Sequence, residues 1–362
     1  MAKKKVYKKK RYIVPISIVV LLIVGRLLLP YFVKNYVNKV LADIPGYYGQ
    51  VKDIDISLLR GAYVIDSLYL KRVNATSEVP VLTIPKADIS VEWGALFKGK
   101  VVSEIYLSSP EFIYVFEDQQ ENDTADPELD DWTKALTDLV PIDINKFGIT
   151  NGKAAFVQLS AEPNIDLHFA ELNLNATNLR NVVQKQLNLP SEIHATAISI
   201  GNGKVNLDGR MDLVKQVPDM DMGFSLEGAS ATALNDFTEH YAEIDFESGD
   251  FNLYSEVAIA DGYLTGYVKP LLKDAKLVGK GDSFLGVLWE GFVGFFKFLL
   301  KNKGNNTLAT KVPIEGDLNQ VEGKVWPTIF NIVKNGWIKA FENQTEGNIE
   351  FEDAVEKSQN EN

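Results

Sequence analysis

The run from Tyr12 to Phe32 is almost entirely apolar and directly follows a block of cations. About 20 apolar residues in helical form cross the hydrocarbon core of a bilayer, at about 1.5 Å per residue. Lys3, Lys4, Lys5, Lys8, Lys9, Lys10 and Arg11 precede the run, with no acid among them. Cations beside a span stay in the cytoplasm. The pattern therefore predicts a basic cytoplasmic tail (1–11), a transmembrane anchor (12–33) and the rest of the chain on the far side. A cleaved signal peptide starts similarly, but Gly25-Arg26-Leu27-Leu28-Leu29-Pro30 lacks the small-residue cleavage pattern. Arg26 sits about one turn from the far end, close enough to reach the interface.

The body behind the anchor has the opposite charge. Removing the seven cations of the tail from the total of 37 leaves 30 basic residues against 49 acidic ones. Nucleic-acid backbones reward basic stripes, so nucleic acid is excluded as a partner. There is no cysteine, which excludes disulfides, thiolate metal sites and a cysteine nucleophile. Hydrophobic residues make up 46% of the 362, enough to bury a substantial core.

Residues 34–116 read as a helix and a first β block. Tyr36, Val37, Val40, Leu41 and Ile44 recur at helical spacing and end at Pro45-Gly46. This short amphipathic helix is expected to cap a β-sheet. The period then changes to two. Ile54, Ile56 and Leu58 alternate with polar residues, as do Ala87, Ile89 and Val91. A break is expected at Ser108-Ser109-Pro110. Residues 117–133 read as a solvated acidic loop, since their spacing lacks the calcium-loop pattern.

A second β block covers 134–280. Three units in it look alike, around Asn151-Gly152, Asn202-Gly203 and Ser248-Gly249. Asn-Gly between alternating runs signals a hairpin. Val205, Leu207 and Met211 share one face, and Met220, Met222 and Phe224 share another. Leu172, Leu174 and Ala176 have the opposite parity to Ile165, Leu167 and Phe169, which predicts a bulge between them. Residues 232–243 read as helical. In 281–343, Phe284, Leu288, Trp289, Phe292, Phe295 and Phe296 form an aromatic helix suited to cover or gate an apolar surface. A strand near 308–318 and a helix after Pro327 follow, and 344–362 reads as an acidic tail.

No catalytic constellation emerges. His168, His194 and His240 stand in no paired metal spacing, and there is no P-loop or other nucleotide motif. No enzyme activity, metal or cofactor is expected. The positive signal is physical: many strands offer a dry face and few helices exist to cover them. Either two sheets pack on each other, or one curled sheet leaves an apolar gutter. Beside a membrane, the natural ligand of such a gutter is an acyl chain.

The order of these features resembles the AsmA-like envelope proteins, related to TamB. The resemblance rests on the anchor and short helix, then Ile54-Asp55-Ile56-Ser57-Leu58 with Gly61, Val81-Leu82-Thr83-Ile84, and the strand to Trp93. It continues through Val101 to Pro110, Asp261-Gly262-Tyr263-Leu264-Thr265-Gly266-Tyr267-Val268-Lys269-Pro270, Leu288-Trp289-Glu290 and Val312-Pro313-Ile314-Glu315-Gly316. It implies a mainly β fold: a transmembrane helix and a long curled antiparallel sheet forming a taco-like groove, with amphipathic helices at its ends. It also implies a single-pass inner-membrane protein with its bulk in the periplasm, linked to phospholipid movement and outer-membrane homeostasis. The expected groove lining is Ile54, Ile56, Leu58, Ala87, Ile89, Val91, Val205, Leu207, Met211, Met220, Met222 and Phe224. Its expected ligand is membrane phospholipid, and the alternative is an assembly factor with a closed β core and an envelope-protein partner. Fourteen strands at about 4.8 Å spacing give an expected groove of roughly 65 Å.

Overall fold

The computed structural model describes residues 4–44, 46–57, 60–91, 94, 102–120, 143–179, 189–212, 219–242, 245–278, 307–309 and 312–318. Helix α1 (Lys4–Ala42) opens the chain. The first strands are β1 (Tyr47–Ser57), β2 (Ala62–Arg72), β3 (Leu82–Val91), β4 (Val102–Ser108) and β5 (Glu111–Val115). A one-turn helix α2 (Phe116–Gln120) follows. Then come β6 (Asp143–Gln158), β7 (Ile165–Thr177), β8 (Ser191–Ser199), β9 (Lys204–Asp212) and β10 (Asp219–Ser230). Helix α3 (Asn235–Ala242) precedes β11 (Phe246–Ala260), β12 (Tyr263–Leu277), β13 (Thr307–Ala309) and β14 (Val312–Asp317). Among the described residues the fold is mainly β, with one apolar helix segment, Ile13–Ala42, long enough and apolar enough to span a membrane. Leu58, Trp93, most of 117–142 and all of 281–306 and 319–362 lie outside the described residues, and with them the expected aromatic helix, the C-terminal helix and the tail.

All fourteen strands join one sheet, so the two expected β blocks are continuous. Two expectations about that sheet are corrected. It is mixed rather than wholly antiparallel: β4 and β5 pair with β6 in parallel. Parallel neighbours need a crossover of about a dozen residues or more, and the stretch between β5 and β6 is long enough to supply it. The sheet is also narrower than its strand count. β4 and β5 both lie between β3 and β6, and β13 and β14 both pair with β12, so each couple occupies one strand position. Twelve positions at about 4.8 Å give a width of roughly 53 Å.

The registers carry one side-chain face across the sheet. Directly opposed residues project to the same side. Ile54 faces Ile65, which faces Ala87, then Leu107, Ile149 and Leu174. Leu174 faces Ala195, then Leu207, Phe224, Ser255 and Val268. Ten of these eleven residues are apolar. The exception, Ser255, donates its hydroxyl to the Tyr267 carbonyl at 2.8 Å. One residue away in each strand lies the opposite face: Asp55, Val64, Asp88, Tyr106, Gly148 and Asn175. That row continues through His194, Asp208, Gly223, Glu256 and Tyr267. The sheet thus has one apolar and one polar side along its whole length.

A transverse crease crosses β2 to β7. Ser67, Ser109, Asn151 and Glu171 all take left-handed backbone conformations at neighbouring levels, and Pro85 stands at that level in β3. Left-handed residues and bulges bend strands and restore the facing of the next side chain. Hence Leu68, Leu70 and Ile84 join the cluster of Ile54, Ile65 and Ala87 despite their shifted parity. Asn151 stitches the crease by donating its side chain to the Ser109 hydroxyl and its N–H to Asn173, each at 3.2 Å. The expected bulge in β7 is present between Ala170 and Asn173.

The three similar glycine units do not behave alike. Asn202-Gly203 does turn the chain between β8 and β9, through a short 3-10 segment. Asn151-Gly152 instead lies inside the continuous strand β6, and Gly249 inside β11. A left-handed residue serves a bulge as well as a turn, and the neighbouring strands decide which. The expected helix at 232–243 is found as a 3-10 turn leading into α3.

Glu171 is the least suited residue type in the crease, with φ of 51°. Glu171→Val is expected to lower stability by about 1–2 kcal/mol, and Glu171→Gly to hold or raise it. Urea unfolding of both variants checks this.

Candidate functional site: the apolar sheet face

α1 fixes this face relative to the apolar span. The helix is continuous, so no break in secondary structure separates the expected anchor from the expected cap. Pro30 sits inside it. Tertiary packing holds the segment straight through: Val33, Val37, Leu41 and Ile44, spaced three and four apart, bury against Ile54, Ile65, Ala87 and Ile105. The capping role expected of this segment is therefore found. Arg26 donates from Nη1 to the Ile56 carbonyl at 2.8 Å. Asn38 accepts the Val51 N–H at 2.7 Å and donates to the Val51 carbonyl at 3.4 Å. These side chains satisfy backbone groups on the outermost strand, β1, which are otherwise open to a foreign strand. The contacts also set direction. α1 runs antiparallel to β1 for about 20 Å, from Arg26 at Ile56 to Asn38 at Val51. The residues before it, Ile13 to Leu29, are exposed all round wherever their side chains are described.

Eleven of the twelve expected lining residues fall on the one apolar face. Ile56 continues the row from Ile54, Ile89 and Val91 continue it from Ala87, and Val205 and Met211 flank Leu207. Met211 faces Met220, and Met222 lies between Met220 and Phe224. Leu58 is the twelfth and is outside the described residues. Sequence reading missed Ile105, Leu107, Phe147, Ile149 and Leu174 as lining residues. Their alternation was visible, but only the parallel pairing of β4 with β6 aligns them with the rest.

Burial along the face is uneven. Ile54, Ile65 and Ala87 are buried at the α1 end, and Ile259, Leu264 and Ile314 at the other. Between them lies a smaller buried cluster, Ala197, Val205 and Leu226, with Ala195 also buried, while Leu174, Ile193, Leu207, Met211, Met222 and Phe224 are only partly covered. The α1 end is dry. Ser103, opposite Val91, is fully buried and its hydroxyl has no hydrogen-bond partner among the described residues. Burial alone pushes the Tyr63 phenol above its ordinary pKa of 10.

The polar face holds the titratable groups. His168 lies 2.9 Å from Asp166 in β7, and His194 lies 2.5 Å from Asp208 across β8 and β9. His240 is on α3, 3.4 Å from Gln158. An open depression of about 490 Å³ over β7 to β10 is lined by Asn175, Thr177, His194, Asp208, Arg210 and Asp221 among others. Its charges pair with each other, Arg210 with Asp221 at 3.8 Å. No group of three acidic or histidine side chains suited to a metal occurs among the described residues. One acid departs from expectation. Asp118, read as part of a solvated loop, is buried in α2 and accepts the Ser77 N–H at 2.8 Å and its hydroxyl at 2.5 Å. Those two donors tie the turn after β2 to the end of β5.

Comparison with protein-family models and with curated proteins found no match for the chain.

Gly209 belongs to the apolar face opposite Met222, and a β-carbon there would lie 2.3 Å from the Met222 sulfur and 2.5 Å from the Asp221 carbonyl oxygen. Gly209→Ala is expected to cost about 1–3 kcal/mol through overpacking, read as a lower urea midpoint. Gly223→Ala, with its nearest neighbour at 3.8 Å, is the control expected to change little.

Proposed function

We propose that this protein binds the acyl chains of membrane phospholipid along its apolar sheet face, curled into a groove. We place it in the inner membrane with the sheet in the periplasm, acting in phospholipid transport or outer-membrane homeostasis. The observation that carries the reading is the apolar row through eleven strand positions, whose larger side chains over β7 to β10 (Leu174, Leu207 and Phe224) are only partly covered, with the apolar helix α1 docked at its first strand. A face of that size in one layer of sheet calls for a covering ligand.

The dimensions and energetics support it. An acyl chain spans about half of a 30 Å bilayer core, roughly 15 Å, so a face about 53 Å wide accommodates several. A chain passing from bilayer to face exchanges one apolar surrounding for another and gains or loses little hydrophobic free energy. Such exchange is reversible and calls for no nucleotide, and the reading is of a carrier rather than an enzyme. The hairpin end of β1 and β2 lies level with Arg26, near the end of the exposed helix segment, so the face begins beside the bilayer. The burial of Ile259, Leu264 and Ile314 at the far end favours a second reading, an assembly factor whose face is closed internally and which holds an envelope protein.

The test is the phospholipid that stays bound to the purified full chain after extensive detergent washing, measured by mass spectrometry. Tightly held phospholipid near or above one per chain is expected. Leu207→Asp and Leu174→Asp each set a charge on the partly covered stretch of the apolar face and should cut it by about tenfold or more, with the circular dichroism of the sheet unchanged. Equal lipid content in folded variants contradicts the groove and supports the assembly-factor reading.

A further inference from the structure

Resting on the acyl-chain reading, we propose that Met211, Met220 and Met222 form an oxidant-sensitive seat in the face, whose conversion to sulfoxides expels the bound chain. The chain has four methionines, Met1 and three others that fall within twelve residues. The fold gathers them further. Met211 and Met220 are directly opposed, and Met222 is the next residue on the same side of β10, lying over Gly209. All three are partly exposed; Met211 and Met222 lie in the partly covered part of the face, and Met220 packs at its border against the buried cluster of Ile259, Leu264 and Ile314.

Methionine in such a place has two consequences. Its unbranched thioether adapts to ligands of different shape, as a soft floor for acyl chains of varied length and unsaturation. Its sulfur is also the oxidisable atom of an otherwise inert apolar surface, since the chain has no cysteine to react first. Hypochlorous acid supplies the chemistry. The thioether sulfur gains one oxygen atom and loses two electrons; chlorine takes up those two electrons and leaves as chloride, with release of one proton. Each sulfoxide puts a strong acceptor where an acyl chain lay, and a polar group against hydrocarbon goes without its hydrogen bonds. The partly covered position admits a small oxidant, and sulfoxide reduction would restore the seat.

The experiment exposes the washed full chain to a low dose of hypochlorous acid, then measures retained phospholipid and peptide masses. Oxygen gain at Met211, Met220 and Met222 is expected, with a fall in retained lipid of about tenfold. The variant M211L/M220L/M222L keeps a similar volume without the sulfur, and its retained lipid, expressed relative to its own unexposed sample, should not fall with the same exposure. Full oxidation without loss of lipid, loss of lipid from the leucine variant to the same degree, or methionines that resist the oxidant each overturn the inference. A parent chain that binds lipid and fails any of these leaves the groove standing; a parent chain without lipid from the start overturns both.

Discussion

A single layer of sheet cannot bury its own apolar side, and the rest of this molecule answers that constraint. Ordinary domains solve it by packing a second layer on the first. Here the registers run one apolar row from Ile54 to Val268 and one polar row from Asp55 to Tyr267. α1 covers one end of the apolar side, and Ile259, Leu264 and Ile314 are buried at the other. The centre is left partly open. Leu174, Ile193, Leu207, Met211, Met222 and Phe224 are partly exposed there, around the buried Ala197, Val205 and Leu226. The proposal of an apolar ligand starts from that partial exposure.

The anchor and the sheet act as one piece. Because α1 is unbroken, the exposed apolar segment and the Val33 to Ile44 stripe belong to the same rod. Arg26 and Asn38 tie that rod to the backbone of β1 at two levels. An arginine within an apolar helix is costly unless its donors are used, and the Ile56 carbonyl uses one of them. The same bonds seal an edge that is otherwise a template for aggregation. The crease through Ser67, Ser109, Asn151 and Glu171 shapes the sheet further. It inserts a bend into strand after strand at one level while keeping apolar side chains on one side.

Much of this was legible in the sequence, for physical reasons. Period-two alternation reports burial directly, so the lining residues of β1, β3, β9 and β10 could be named before their strands were paired. The parity change between Phe169 and Leu172 foretold the bulge because a bulge is what such a change requires. Other features depend on distant partners and leave no local mark. Asn151-Gly152 and Asn202-Gly203 are alike in sequence, yet one is a bulge and the other a turn. The parallel pairing of β4 with β6 is a property of the crossover, not of either strand. The sequence suggested an anchor and a separate short helix, whereas one helix runs through both, with Val37 and Leu41 packed on the sheet. Asp118 looked like one more solvated acid until Ser77 supplied its donors.

The most direct test of the apolar face uses two neighbouring residues that the sheet sends to opposite sides. A photo-crosslinking amino acid placed at Leu207 projects into the apolar row, and one at Asp208 into the polar row. After irradiation of the full chain in its native membrane, phospholipid adducts are predicted at Leu207 and not at Asp208. Equal labelling at the two positions, or none at Leu207, would contradict the account.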